Sequence, residues 1–268
     1  MIPLWLRSLF GSVAPPPDPD PATGVMPTAQ EMELAISRLD ELARPAVLAE
    51  IGGARPEKED RAKSWWGGNF LGAEGESVPA CQQSGAPMHP VVQIRVDELP
   101  QNLPGFEGIA LLTLWMDLHS DEIWRAKNGD GFLVRTYSTL EDLVPLGPGF
   151  RESPALPTFP VFWRETLLEQ PSWEDMAGEV PVKVARSQDD TWFAESRYLT
   201  DHYYKLRSVR PIKLGGWPAW IQGADWPADA EYVFQVDATY KGKLHVGDGG
   251  SVYIFKTPTS WQMRADCY

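Results

Sequence analysis

The sequence predicts an α+β protein: duplicated β-rich units related by a pseudo-two-fold, a large mixed or antiparallel sheet, and peripheral helices. Two observations carry this. Each half repeats one succession, a double glycine, then an apolar strand-like run holding a glutamine, then a glycine opening another strand. In the first half these are Gly67-Gly68, Val91-Val92-Gln93-Ile94 and Gly108-Ile109-Ala110-Leu111-Leu112. In the second they are Gly215-Gly216, Val233-Phe234-Gln235-Val236 and Gly250-Ser251-Val252-Tyr253-Ile254. The glutamine precedes its strand-opening glycine by 15 residues in both copies, and helical patterns lie outside the two runs.

The elements follow in order. Ile2, Trp5, Leu6, Leu9, Phe10 and Val13 fall on one stripe of a short N-terminal helix, with Pro3 tolerated in its first turn. So short a helix is marginal alone and needs a surface: its own body, a partner protein or a membrane. Ala14-Pro15-Pro16-Pro17-Asp18-Pro19-Asp20-Pro21 is too proline-dense for helix or sheet and reads as an extended spacer. Residues 1–27 are thus an amphipathic segment and linker, and residues 28–268 one domain with its repeat at about 60–140 and 210–260.

Thr28 and Glu31 form a capping-box pattern, followed by helical spacing of Met32, Ala35, Ile36, Leu39, Leu42 and Ala43 until Arg44-Pro45. Its polar side, with Glu33, Arg38, Asp40 and Glu41, makes it a helix that covers a sheet. Strands are expected at Val91–Val96, Ile109–Met116, Phe132–Tyr137, Glu179–Ala185, Tyr232–Val236 and Gly250–Lys256. Asp97-Glu98-Leu99-Pro100 and Leu140-Glu141-Asp142-Leu143 read as single helical turns. The prolines of Pro145–Pro160 mark a seam, with Glu165–Gln170 and Ser196–Val209 as helices packing there.

A chain of 268 residues with 43% hydrophobic and 23% charged composition can bury a core without covalent staples. Its net charge of −13 repels phosphates and anionic lipid, so nucleic acid is not an expected partner and a basic protein or peptide is. Solubility alone also accounts for such a charge. Two cysteines, Cys81 and Cys267, suit a reducing cytoplasm, and no apolar run approaches a membrane span.

Lys213-Leu214-Gly215-Gly216-Trp217-Pro218, Gln222, Phe234-Gln235-Val236-Asp237 and Gly247-Asp248-Gly249-Gly250 together resemble the YwqG-like family of bacterial proteins of unknown function. Gly67-Gly68, Pro87, Val92-Gln93-Ile94 and Glu98-Leu99-Pro100 agree in the first half, so the resemblance covers about residues 60–268. The chain departs from the family at Arg264-Ala265-Asp266-Cys267-Tyr268, where Trp261 stands upstream of the usual place, and at Asn69-Phe70. The resemblance implies a duplicated β-rich fold. It also implies, through remote kinship with eukaryotic programmed-cell-death and ribosome-assembly escort proteins and association with toxin–immunity loci, that the protein binds a protein. It singles out Asp237 and Asp248 beside Gln235.

From the residues themselves, Gln93 and Gln235 are amides in apolar strands, to be satisfied by backbone of the Gly-Gly loops or by a ligand. Trp65, Trp66, Trp217 and Trp220 flank the double glycines and serve either an aromatic core or a recognition groove, whereas Trp115 and Trp192 are expected in the core. No catalytic residue is nominated. There is no Gly-x-Ser-x-Gly, His-Glu-x-x-His or P-loop, and no cofactor is implied. Cys81 with His89 is short of a zinc site; Asp117, Asp121 and Glu122 read as a solvated loop; Asp201-His202 are chain neighbours that rarely face each other. The expectation is a non-catalytic protein-binding module, an escort or a toxin-neutralising protein with a basic partner. The alternative is an enzyme or small-ligand or sugar binder with a Trp-lined cleft between the repeats.

Overall fold

The computed structural model describes residues 28–53, 60–119, 127–146, 156–171, 175 and 210–268. It corrects the expected fold class. Among the described residues the protein is a closed β-barrel of 11 strands with one α-helix beside it, not an α+β fold with helices around a sheet. The two β-rich runs do not pack as units behind helices; they are arcs of a single barrel wall. The N-terminal stripe (Ile2, Trp5, Leu6, Leu9, Phe10), the strand expected at 179–185, the helix expected at 196–209, Trp192, Asp121, Glu122 and Asp201-His202 lie outside the described residues.

The helix α1, Ala29–Glu41, starts as its sequence signal requires. Thr28 caps it, accepting from Glu31 N while the Glu31 carboxylate accepts from Thr28 N. Ala35 and Leu39 are buried on one side. Its last turn closes through Leu42 N donating to Arg38 O, and the chain turns directly into β1, Arg44–Ile51. Arg44-Pro45 thus marks both the end of the helix and the start of a strand. The wall continues with β2 (Trp65–Trp66), β4 (His89–Arg95), β5 (Leu111–Met116), β6 (Lys127–Asn128) and β7 (Gly131–Tyr137). It is completed by β9 (Phe159–Glu169), β10 (Ile212–Gly215), β11 (Glu231–Asp237), β12 (Ser251–Lys256) and β13 (Trp261–Asp266). Around the barrel the order is β1-β10-β11-β12-β13-β6-β7-β5-β4-β2-β9, antiparallel except for the β6–β7 pair. A small ribbon of β3 (Leu71–Ala73) and β8 (Leu143–Pro145) stands apart.

The expected helix at Glu165–Gln170 is instead the end of β9. This strand pairs with β1 from Arg44↔Glu169 to Ile51↔Val161 and with β2 at Trp65↔Pro160. Its backbone groups find partners on two neighbouring strands, which outweighs the modest helical preference of Arg-Glu-Thr-Leu-Leu-Glu. Most of the expected seam, residues 147–155, lies outside the described residues; beyond it β9 pairs with β1 and β2 of the first half.

Side-chain alternation fills the barrel and leaves no polar lumen. Val92, Ile94, Leu112, Leu114 and Val134 point inward with Leu214, Phe234, Val236, Val252, Ile254 and Met263, in one core. The opposite face of each arc is buried too, under chain that leaves the double glycines. Trp65, Phe70, Cys81, Met88, Trp115 and Leu146 form the first outer cluster. Trp220, Tyr232, Tyr253 and Phe255 form the second.

Candidate functional site

Both glutamines sit on the outward face, at matching places in the register. One row across the wall reads Trp65↔Gln93↔Thr113↔Arg135. The other reads Lys213↔Gln235↔Tyr253↔Arg264. Gln93 Oε1 accepts from Leu71 N at 2.9 Å, and its Nε2 donates to Arg61 O and Lys63 O at 2.8 and 2.7 Å. Gln235 Oε1 accepts from Ala219 N at 3.0 Å and from the Tyr232 hydroxyl at 3.2 Å, while Nε2 donates to Asp237 Oδ1 at 2.8 Å. Leu71 and Ala219 each lie three residues beyond a double glycine, so each glutamine holds the loop that covers it.

The glycines let those loops leave the wall. Gly67 and Gly215 have φ of 60° and 65°, and a Cβ on either would stand 2.5 Å from a proline carbonyl, Pro157 O or Pro45 O. Only glycine combines that conformation with that approach.

Around Gln235 the outer layer becomes charged. Lys213 and Glu169 are both buried, and Lys213 Nζ donates to Glu169 Oε1 at 2.8 Å and to Trp217 O at 2.5 Å. Glu169 Oε2 accepts from Trp217 N at 2.9 Å, and a side chain on Gly216 would collide with that carboxylate. The end of β9 is therefore bolted to the turn after β10 by one ion pair. Burial pushes the Glu169 carboxyl up, and the Lys213 ammonium opposes this. Asp237 is half-buried as a residue, yet its carboxylate is enclosed: Ser251 Oγ donates to Oδ1 at 2.8 Å beside the Gln235 amide. Burial raises its pKa as well, and raises that of Tyr232 well above the usual phenol. Tyr253 Oη lies 2.7 Å from both Ala219 O and Asp266 Oδ1, and Asp266 Oδ2 accepts from Ile221 N and Gln222 N.

The tryptophans continue this layer. Trp217 Nε1 donates to Leu42 O at 3.1 Å. Trp220 and Trp226 both donate their indole N–H to the Asp175 carboxylate, at 3.1 and 2.6 Å. Trp226 meets Trp217 and Trp220 edge to face, each with centroids 6.2 Å apart. Over the face of Trp217 lies the Arg44 guanidinium, 3.5 Å from the ring centre.

The expected site residues thus divide. Gln235, Asp237, Trp217 and Trp220 come together in this charged outer layer. Gln93 and Trp65 belong to the first cluster, where Trp65 Nε1 donates to Asp60 O. Trp66 points into the barrel and donates to Gly242 O at 3.1 Å. All four expected tryptophans are buried, at 0–7% exposure, so none offers a free face as an anchor. They also do not line one cleft, since Trp65, Trp66 and Trp220 occupy three different clusters. Asp248 is on an exposed turn, where its carbonyl accepts from Tyr268 N.

In the first half, Asp117 is buried and accepts from Ser84 Oγ and His119 N, and Cys81 Sγ approaches Asp130 Oδ1 at 3.4 Å. Among the described residues no cluster of His, Cys, Asp and Glu could hold a metal ion. Sequence reading missed Arg44, Glu169, Asp175 and the role of Lys213. Lysine in the apolar strand Ile212-Lys213-Leu214 is a signal for a buried charge, whereas Glu169 and Asp175 carry no local sign of their partners.

No curated protein matches the chain. A family model described as a domain of unknown function (DUF1963) matches residues 64–263, a span that holds both double glycines and both pinning glutamines and omits α1 and β1. By that match, which covers most of its length, the chain belongs to the DUF1963 family.

Proposed function

We propose that the protein is a non-catalytic binding module, an escort or toxin-neutralising protein acting in the cytoplasm on a partner with a basic segment. The similarity to YwqG-like proteins favours binding over turnover, and the net charge of −13 supplies the steering field for a basic partner. The observation that carries the reading is the use made of the buried polar groups. Lys213, Glu169, Gln235 and Asp237 all spend their hydrogen bonds on the chain itself, as scaffold rather than reagent. The four tryptophans are buried in the free protein, so the encounter falls to exposed carboxylates such as Asp229 and Glu231, which flank Ala230 and Tyr232 of the second cluster.

The test is capture of the partner from the native host, followed by kinetics with the purified pair. Association should slow as salt rises from about 0.05 to 0.5 M, with dissociation changing less. The double variant Asp229→Lys, Glu231→Lys should lower the association rate by about tenfold. An acidic partner, or association indifferent to both salt and the double variant, sinks the proposal.

A further inference from the structure

Arg44 stands where a ligand would. Its guanidinium carbon lies over the Trp217 ring, 3.5 Å from the centre, and Arg44 remains an exposed residue at the barrel surface. Trp226 closes one side, edge-on to Trp217. The Asp175 carboxylate is held by the N–H groups of Trp220 and Trp226, which fix a negative charge beside the aromatic faces. Partial burial lowers the pKa of Arg44, and the charges of Asp175 and Glu231 offset part of that cost. An indole face under the cation, with a second indole and carboxylate charge in the same layer, is the chemistry that recognises arginine: stacking on the ring and charge attraction beside it. Trp217 has partners besides Arg44 in Leu42 O and Glu169, and the other two rings are held by Asp175.

We propose that Trp217, Trp226, Asp175 and Glu231 form a guanidinium receptor, filled by Arg44 of the same chain and taken over by an arginine of a partner's basic segment. The partner arginine replaces Arg44 on the Trp217 face, and Arg44, on its long flexible stem, moves into solvent. This rests on the partner-binding reading and names the residue type that the site selects. An acidic protein gains specificity from it, since a surface field attracts lysine and arginine alike whereas the flat ring face favours arginine.

The experiment uses Arg44→Ala in the full chain, with N-acetyl-arginine amide as probe and N-acetyl-citrulline amide as its neutral isostere. Tryptophan fluorescence should titrate saturably with the arginine probe in the variant, on the order of millimolar. Wild type should bind at least about tenfold more weakly because Arg44 competes. Adding Glu231→Gln to Arg44→Ala should weaken the probe several-fold. If Arg44→Ala is destabilised, the arginine probe should raise its melting temperature and the citrulline probe should not. No saturable response in the folded variant, equal response to citrulline, or a destabilised variant that arginine does not rescue overturns the receptor. Partner association of wild type is measured in parallel. Salt-dependent capture without an arginine response overturns the receptor alone; an arginine response without capture of a basic partner supports the receptor and removes the binding reading.

Discussion

The two outer clusters answer one structural problem with different chemistry. Each covers an arc of the barrel with a loop that leaves a double glycine, and each loop is held by a glutamine at the same register position. Beside Gln93 stand Trp65 and Thr113, and the amide meets only backbone on its three bonds. Beside Gln235 stand Lys213 and Tyr253, and the amide meets one backbone N–H, a phenol and a carboxylate. The first cover is an apolar lid. The second is a polar one resting on a buried ion pair, with an arginine and two indole-bound oxygens at its surface. The difference teaches where to look for function, because buried charge costs stability and apolar packing at the same place would not.

The largest effect should come from unbalancing the ion pair. Lys213→Met leaves the Glu169 carboxylate buried without its cation, and should cost about 3–5 kcal/mol in urea denaturation. Adding Glu169→Gln should recover a large part of that loss, since the amide oxygen still accepts from Trp217 N. A single variant within about 0.5 kcal/mol of wild type would show that the second cover does not rest on this pair.

Next come the glutamines. Gln93→Leu strands Leu71 N, Arg61 O and Lys63 O, which are all backbone, at about 1–3 kcal/mol for each group that water cannot reach. Gln235→Leu strands Ala219 N, whereas Tyr232 and Asp237 are side chains that can turn to other partners. Gln93→Leu should therefore be the more destabilising of the two, and the reverse order would break the comparison.

A smaller effect is confined in pH. Burial raises the carboxyls of Asp237 and Glu169, so over a window above the ordinary carboxylate range the folded chain holds more protons than the unfolded one. Stability then falls as pH rises from that range through the raised values. Asp237→Asn removes one of the two groups and should flatten the slope of melting temperature against pH, whereas an unchanged slope would mean that Asp237 ionises freely. The smallest effect is a control outside both covers: Arg38→Ala removes the exposed pair with Glu41 and should cost about 0.3–0.5 kcal/mol at most.

Parts of this were legible in the chain. The capping box of Thr28 and Glu31 announces α1, and runs of Val, Ile, Phe and Tyr between Gly, Pro and Asp announce β4, β5, β7, β11 and β12. The glutamines were legible as polar groups in apolar strands, and their backbone partners in the loops follow from the need to satisfy a buried amide. The barrel was not legible, because closure depends on long-range pairs such as β1 with β9 and β10, and local patterns do not encode which strands meet. β1 hid behind Arg44-Pro45, which reads as the stop of the preceding helix although the strand begins there. β9 carries a helix-forming run whose fate was decided by its neighbours. The sequence leaves the tryptophans beside the glycines open between core and groove; the glycines fold the loops back so that the rings are buried. Arg44 gave no signal, as its meaning lies in Trp217, far along the chain.

Each glutamine holds its own loop, and amide hydrogen exchange reads that hold residue by residue. The Leu71 and Ala219 amides are followed in wild type, Gln93→Leu and Gln235→Leu under native conditions. Gln93→Leu should lose protection at Leu71 while Ala219 keeps it, and Gln235→Leu should do the opposite. Unchanged protection at both amides in both variants would contradict it.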